Sequence, residues 1–418
     1  MNALKGSRPA RIFAGIALVS ASALVISGCA STPASEKPTD GGKKPAADLT
    51  LKLGSLLPET GSLAFLGAPM EAGVQLAVDR VNEAKAGVTI TLSTGDEGDT
   101  DTKAYETSIT KLQSEGITAM IGAASSSVTK LILDGNVGAG ILTVSPSNTS
   151  PDFSGLNPLY FRTAPSDLLQ GETLGNQISE DGNTTLGIIY QNDGYGTGLA
   201  EAIEKTFGES GGKVVAKSSY NVGDGQFNAQ VAEVAAAKPD AVAVVSYDQF
   251  ATIAPLLKNA GVNTGKLYLV DGNLKDWKDQ IPVDLTGSKG TRAGADLPKT
   301  FIDDLNKVWE AKGNKPIDAV TYSAEAYDAV TLIALAALEA KSVEGKDMAA
   351  KMRSVSGGVD KGTKCKTFAE CAKLINDGKK IDYDGLSGEI TFDENNDPKG
   401  AAIGVYEFET GNVLKRIS

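Results

Sequence analysis

The chain has 418 residues, with 40 Lys and Arg against 52 Asp and Glu, three cysteines and no histidine. A net charge of −12 without any Lys/Arg cluster excludes a nucleic-acid surface, which needs basic side chains against phosphates. Without histidine, triad and dyad hydrolases lack their base, and the cysteines alone are too few to hold a metal; neither cofactor nor metal is expected.

The N-terminus comes first in chain order. Lys5, Arg8 and Arg11 precede the apolar run "IFAGIALVSASALVI", which closes on Ile26-Ser27-Gly28-Cys29. Basic start, short apolar core and small residues predict a signal peptide over 1–28, too short for a spanning helix. The tetrapeptide resembles the bacterial lipobox, in which cleavage before the cysteine leaves it lipid-bearing, so Cys29 is expected to be a membrane anchor. Residues 30–48 carry no large apolar side chain and are rich in Pro, Ser, Gly and Lys; with Cys29 they read as a flexible tether, 29–48. The remaining 418 − 28 = 390 residues exceed one typical core and imply two lobes. In an exported chain, Cys365 and Cys371 predict a disulfide closing a short loop.

From residue 49 apolar strands alternate with amphipathic helices. "LTLKLGSLL", "VTITLSTGD", "ITAMIGAA" and "ILTVS" read as strands. Between the first two, Pro69 is expected to open a helix whose Met70, Val74, Ala77, Val78 and Val81 share a face. Further helices fit "TKAYETSITKLQSEG", closed by Gly116, and about 126–137. The grammar restarts after "YFRTAPSD": "TTLGIIY", "KVVAKS", "DAVAVVSY" and "KLYLVDG" are strands, with helices at about 197–208, 226–237 and 249–260. "IDAVTYSAEAYDAVTLIALAALEA" reads as one buried helix, and "GEITFD", "AIGVYEF" and "GNVLKRI" as strands with a hairpin at Thr410-Gly411-Asn412. The pattern predicts an α/β fold of two doubly wound, parallel-sheet lobes.

Ligands of such sheets sit at the carboxyl ends of strands, beside helix N-termini. Ser125, Ser126 and Ser127 follow one strand and open a helix. Ser147, Asn148 and Thr149 follow the next, and Tyr195, Tyr247 and Asp271 follow three strands of the second half. Donors in one lobe facing tyrosines and a carboxylate in the other suit a zwitterion. Three tempting motifs fail on context. "GESGG" at 208–212 lies between helix and strand, where a nucleophile elbow needs strand then helix, and no histidine activates Ser210. "NDGYGTG" at 192–198 has the wrong glycine spacing for a dinucleotide and no basic residue. "DENNDP" at 393–398 starts like a calcium loop but puts Pro398 at the sixth place, and reads as a solvated turn. The chain is therefore read as a binder and not an enzyme.

Segments "LLPETGSLAFLGAPMEAGVQLAVDRVN", "MIGAASSSVTK", "ILTVSPSNTSP", "FRTAP", "YGTGLAEA", "YDAVTLIALA" and "DYDGLSGEITFDENNDPKG", with the "DAVAVVSY" strand, resemble the extracytoplasmic substrate-binding proteins of branched-chain amino acid ABC transporters, the leucine-isoleucine-valine type. The resemblance runs from about residue 49 to the end. It implies a type I periplasmic binding protein: a first lobe of 49–165 plus about 293–398 and a second of 166–292 plus about 399–418, joined by a three-crossover hinge that closes on one small ligand and presents it to ABC permease subunits. By position, Ser126 and Thr149 resemble carboxylate binders, helped by backbone groups around Ser147 and Asn148. Tyr195 and Tyr247 resemble the second lobe's contacts, and Asp271 the counter-charge of an ammonium. Leu66 stands where some members have an aromatic wall, and Asp271 replaces a longer glutamate. Within the same broad family the ligand is alternatively an amide, urea or an aromatic acid, and the same fold also serves as the ligand module of a sensor.

Overall fold

The computed structural model describes residues 48–317 and 319–418. The signal peptide, Cys29 and nearly all of the tether lie outside the described residues.

The first sheet is built from β1 (Leu49–Leu57), α1 (Ala64–Ala84), β2 (Val88–Asp96), α2 (Ala104–Ser114), β3 (Ala119–Gly122), α3 (Ser126–Gly138), β4 (Leu142–Ser145) and β5 (Tyr160–Arg162). Its five strands run in the order β2-β1-β3-β4-β5, all parallel. β3 and β4 are buried throughout, as expected for continuous apolar runs in a sheet covered on both faces. The chain then forms α4 (Asp167–Glu180), β6 (Thr185–Gln191), α5 (Gly196–Glu209), β7 (Lys213–Tyr220), α6 (Asn228–Ala236), β8 (Ala241–Val245), α7 (Phe250–Asn259), β9 (Leu267–Leu269) and β10 (Lys289–Ala293).

It returns to the first sheet through α8 (Lys299–Glu310), α9 (Ser323–Ala340), α10 (Gly345–Val355), β11 (Thr363–Cys365), α11 (Phe368–Asn376), β12 (Ile381–Tyr383), β13 (Gly388–Phe392) and β14 (Pro398–Ala401). Finally β15 (Ile403–Glu409) and β16 (Val413–Arg416) join the second sheet, whose order is β16-β15-β10-β9-β8-β6-β7. β15 pairs antiparallel with both β10 and β16, and the expected hairpin turns between Glu409 and Val413. Three passages thus connect the sheets: after Arg162, after Ala293 and after Ala401.

The α1 helix begins at Ala64, five residues before the expected start at Pro69, which lies inside the helix. Short i→i+3 bonds, Ala64 N to Gly61 O and Leu66 N to Leu63 O, set its first turn. Pro69 costs only the bond to Phe65 O, close to the end where bonding is incomplete anyway. This early start brings Leu63 and Leu66 to the cleft.

The α9 helix starts at Ser323, later than expected, because Tyr322 takes a left-handed conformation (φ 61°) that interrupts it. Sixteen of its eighteen residues are buried, which is why it is apolar all round. A Cβ on Gly73 of α1 would fall 2.2 Å from the Ser323 carbonyl oxygen, so glycine permits the α1–α9 crossing. Asp328, buried within α9, accepts from Tyr383 Oη and from the Leu386 and Ser387 amides (2.7, 3.1 and 2.7 Å). Helices α8, α10 and α11 and the short pair β11–β12 have no counterpart in the reading of the sequence. No helix among the described residues is long and apolar enough to cross a membrane.

Candidate functional site: the cleft between the two sheets

The carboxyl ends of β3 and β4 face those of β6, β8 and β9 across a cleft. Between them lies a cavity of about 10 Å³, lined from one side by Leu63, Leu66, Ala124, Ser126 and Ser147, and from the other by Tyr195, Tyr247, Asp271 and Gly272, with Tyr322, just before α9, completing it. That volume is about what one water needs, so the two sides of the cleft stand closed on each other. Contacts that cross the cleft include Ser127 Oγ donating to Asp193 Oδ2 at 3.0 Å, Lys275 Nζ 4.7 Å from the centre of the Phe65 ring, and Tyr322 Oη donating to Asp271 Oδ2 at 2.7 Å. A groove of about 510 Å³ on the outer face of α1, α8 and α11 is larger, but no strand end points into it.

On the first-sheet side Ser125 caps α3, its Oγ accepting from Val128 N at 3.4 Å. The helix leaves its first amides, at Ser126 and Ser127, without intrahelical partners, a local environment that favours an anion. The loop before it is held by Glu97, whose carboxylate accepts from Ala124 N (2.6 Å) and Ser125 N (2.7 Å). Burial pushes Glu97 up to about 8 against the opposing pull of those two amides. After β4, Ser145 Oγ accepts from Ser147 N and Asn148 N (3.3 and 3.0 Å) and donates to Ala123 O (2.7 Å), folding the 145–150 loop back onto the α3 entry.

On the other side Tyr195 and Tyr247 stack, ring centres 5.2 Å apart and 16° from coplanar. Asp271 Oδ1 accepts from Tyr195 Oη (2.7 Å) and Gln170 Nε2 (2.8 Å), and Oδ2 from Tyr322 Oη (2.7 Å). Its loop is locked to β8 by Asn273, which donates to Val244 O (2.8 Å) and accepts from Val270 N (3.0 Å). Gly272 is required by close approach: a Cβ there would lie 2.8 Å from the Tyr247 ring and 2.9 Å from Tyr195 Oη. Burial holds the phenols of Tyr195, Tyr247 and Tyr322 far above their ordinary range, so all three are neutral donors.

The expected residues are brought together unevenly. Ser126, Ser147, Tyr195, Tyr247 and Asp271 line the cavity, and so does Leu66. Thr149 lies behind it, fully buried, its Oγ1 without a hydrogen-bond partner. Asn148 points away: its Oδ1 accepts from Thr129 Oγ1 (2.7 Å) and Tyr160 Oη (2.9 Å), and its Nδ2 donates to Ala124 O (2.8 Å). It shapes the loop, and the side chain is fully buried away from the cavity lining. Cys365 and Cys371 are joined, Cα atoms 5.4 Å apart, remote from the cleft. Among the described residues no group of three or more His, Cys, Asp or Glu is placed to hold a metal.

Three further residues were not singled out from the sequence. Asp167 opens α4 with its amide on Thr149 O (2.7 Å), and neither carboxylate oxygen has a partner despite complete burial. Burial first, and the Asp271 carboxylate second, raise it well above the ordinary carboxylate range. Asp271 is raised too, by burial, against its three donors. Gln170, one turn along α4, donates to Asp271 Oδ1 (2.8 Å) and to Thr291 O (3.3 Å). Tyr322 pays for its contact with a strained backbone, since φ 61° is unfavourable for a bulky residue. Nothing in "YFRTAPSD" marks Asp167, and nothing in "VTYSAE" marks Tyr322.

Two facing lobes, three passages and a cleft at strand ends can be compared with known proteins. The family model described as periplasmic binding protein matches residues 50–411. The chain belongs to the periplasmic binding protein family. Members are extracytoplasmic substrate-binding proteins. A leucine-, isoleucine-, valine-, threonine- and alanine-binding protein of Pseudomonas aeruginosa is 26% identical over 372 residues, covering 87% of this chain and 91% of that one. A solved leucine-binding protein of Thermotoga maritima shares the fold at a TM-score of 0.71 and 21% identity, covering 88% of this chain and 98% of that one. An R. palustris solute-binding protein solved with benzoate does so at 0.68 and 21%, covering 88% and 96%. The expected type I architecture is thus found.

Proposed function

We propose that this periplasmic binding protein captures a branched-chain or related amino acid between its lobes and presents it to the permease of an ABC importer. The observation that carries the reading is the buried Asp271 carboxylate in the cavity, with buried Asp167 behind it beside Thr149, opposite the donors of Ser126 and Ser147. A zwitterion satisfies both halves: its ammonium meets the carboxylates and fills the unused oxygens of Asp167, while its carboxylate meets hydroxyls and the α3 amides. Leu63, Leu66 and the tyrosine faces leave an apolar surround for the side chain. A purely anionic ligand such as benzoate would face two carboxylates in a dry site, a costly like-charge contact.

Closure is a hinge motion at the three passages, with lobes of 49–165 plus about 293–398 and 166–292 plus about 399–418. Cys29 is proposed as the lipid anchor, with 29–48 as tether; Cys29→Ser is expected to release the protein from membranes. The ligand class is tested by a thermal-shift screen against amino acids, amides, urea and aromatic acids. Ligand at a hundred times its Kd adds about 2.7 kcal/mol of stability. A shift with leucine, isoleucine or valine supports the reading; a shift confined to an uncharged amide or an aromatic acid overturns the ammonium role of Asp271.

A further inference from the structure

The 393–397 turn, read from sequence as solvated, is docked. Gly155 N donates to Asn395 O (2.9 Å), and Asn396 Nδ2 donates to Tyr160 O (3.1 Å). Asp397 makes a two-pronged ion pair with Arg162: Nε to Oδ1 at 2.6 Å and Nη2 to Oδ2 at 2.8 Å. The Arg162 side chain is 0% exposed and that of Asp397 15%. The remaining guanidinium nitrogen, Nη1, donates to Ser150 O (2.8 Å) and Asn148 O (3.3 Å), the carbonyls on either side of Thr149. Tyr160, whose carbonyl the turn grips, donates from Oη to Asn148 Oδ1 at 2.9 Å. Two separate chains of contacts therefore run from this turn to the loop that carries Thr149.

We propose that Arg162 and Asp397 are positioning residues for ligand capture: the turn, through the buried fork of Arg162, sets the placement of Thr149 and of the 145–150 loop against the cleft. Geometry requires arginine. Its planar five-donor fork spans a carboxylate and two carbonyls at once, which a lysine ammonium on a flexible stem does not. The arrangement also ties the ligand loop to the chain's passages, because Arg162 ends β5 just before the first and Asp397 precedes β14, whose end begins the third. Movement of the second lobe is thereby referred to the same fixed point that holds Thr149.

The test measures the full chain and its Asp397→Asn, Asp397→Ala and Arg162→Lys variants by backbone amide exchange without ligand and by titration with L-leucine. Expected are at least tenfold faster exchange in 145–152, unchanged exchange in 185–191 and 241–245, and leucine binding weakened tenfold or more, with Arg162→Lys no better than Asp397→Ala. If Asp397→Ala does not fold, Asp397→Asn, which keeps the shape, decides. Unchanged exchange in 145–152 overturns the proposal, as does an equal rise across 119–122 and 142–144, the mark of a merely structural ion pair. The affinity readout rests on the proposed ligand class and the exchange readout does not, so a wild type that ignores leucine removes the former reading and leaves this one decided.

Discussion

Asp271→Ala removes a carboxylate that serves two sets of partners. One is internal: Tyr195 Oη, Tyr322 Oη and Gln170 Nε2, at 2.7, 2.7 and 2.8 Å, each left as a buried donor at roughly 1–3 kcal/mol. The other is the ligand's ammonium. Truncating one member of a buried charge pair costs about 2–5 kcal/mol, much of it from stranding the remaining charge. At about 1.4 kcal/mol per decade this is roughly a 30- to 4,000-fold loss of affinity. The two sets separate experimentally, because the internal loss falls on every ligand and the charge loss only on ligands with an ammonium. Calorimetric titration of wild type and variant with L-leucine and with 4-methylpentanoate, the same skeleton without the amine, forms a cycle whose coupling term is the ammonium contact. The wild type is expected to prefer leucine strongly and the variant to lose that preference. A leucine preference that survives Asp271→Ala would refute the reasoning.

Three other outcomes follow from the same geometry. Asp167 and Asp271 are both raised, and an arriving cation favours their ionised forms, so leucine binding releases protons and tightens as pH rises from the acid range towards neutrality; titrations in buffers of different ionisation heat check this, and absence of proton release at pH 5 contradicts it. Glu71, buried and bonded to Ser55 Oγ at 2.7 Å, is pushed up to about 7 from 4.5. It holds a proton in the fold that the unfolded chain has lost, so its contribution fades as pH rises from about 4.5 through about 7. Glu71→Gln is then expected to raise the melting temperature relative to wild type at pH 8.5 and not at pH 5, and equal shifts at both would count against it. The Cys365–Cys371 bridge, six residues apart, contributes about 2 kcal/mol by chain entropy; peptide mapping is expected to find both thiols blocked until reductant is added, with a lower melting temperature afterwards.

Much of the fold is local in origin and therefore legible. The alternation of short apolar runs with amphipathic stretches placed β1 to β4, β6 to β9 and the final hairpin, because periodicities of two and of about 3.6 are properties of contiguous residues. Where a local signal was ambiguous, tertiary contact settled it. Pro69 looked like a helix start, yet α1 begins at Ala64, and α9 is cut short by the left-handed Tyr322. Helices α8 and α10 do carry apolar stripes, Phe301 and Leu305 in one and Met348, Met352 and Val355 in the other, but these few apolar residues lie among many charged ones and went unread.

The sequence by itself placed Ser126 and Ser147 at one sheet's rim and Tyr195, Tyr247 and Asp271 at another's, since a parallel sheet sends every strand's carboxyl end to one rim; that the two rims face each other came with the resemblance and the tertiary structure. That rule says nothing about which neighbours turn inward. Asn148 turned away to bond Thr129 and Tyr160, while Gln170 and Tyr322 turned towards Asp271. Arg162 and Asp397 meet across 235 residues of chain. Only the tertiary structure decides such pairings. A buried charge or donor must find its partner wherever the packed chain supplies one, and sequence distance does not enter that energy.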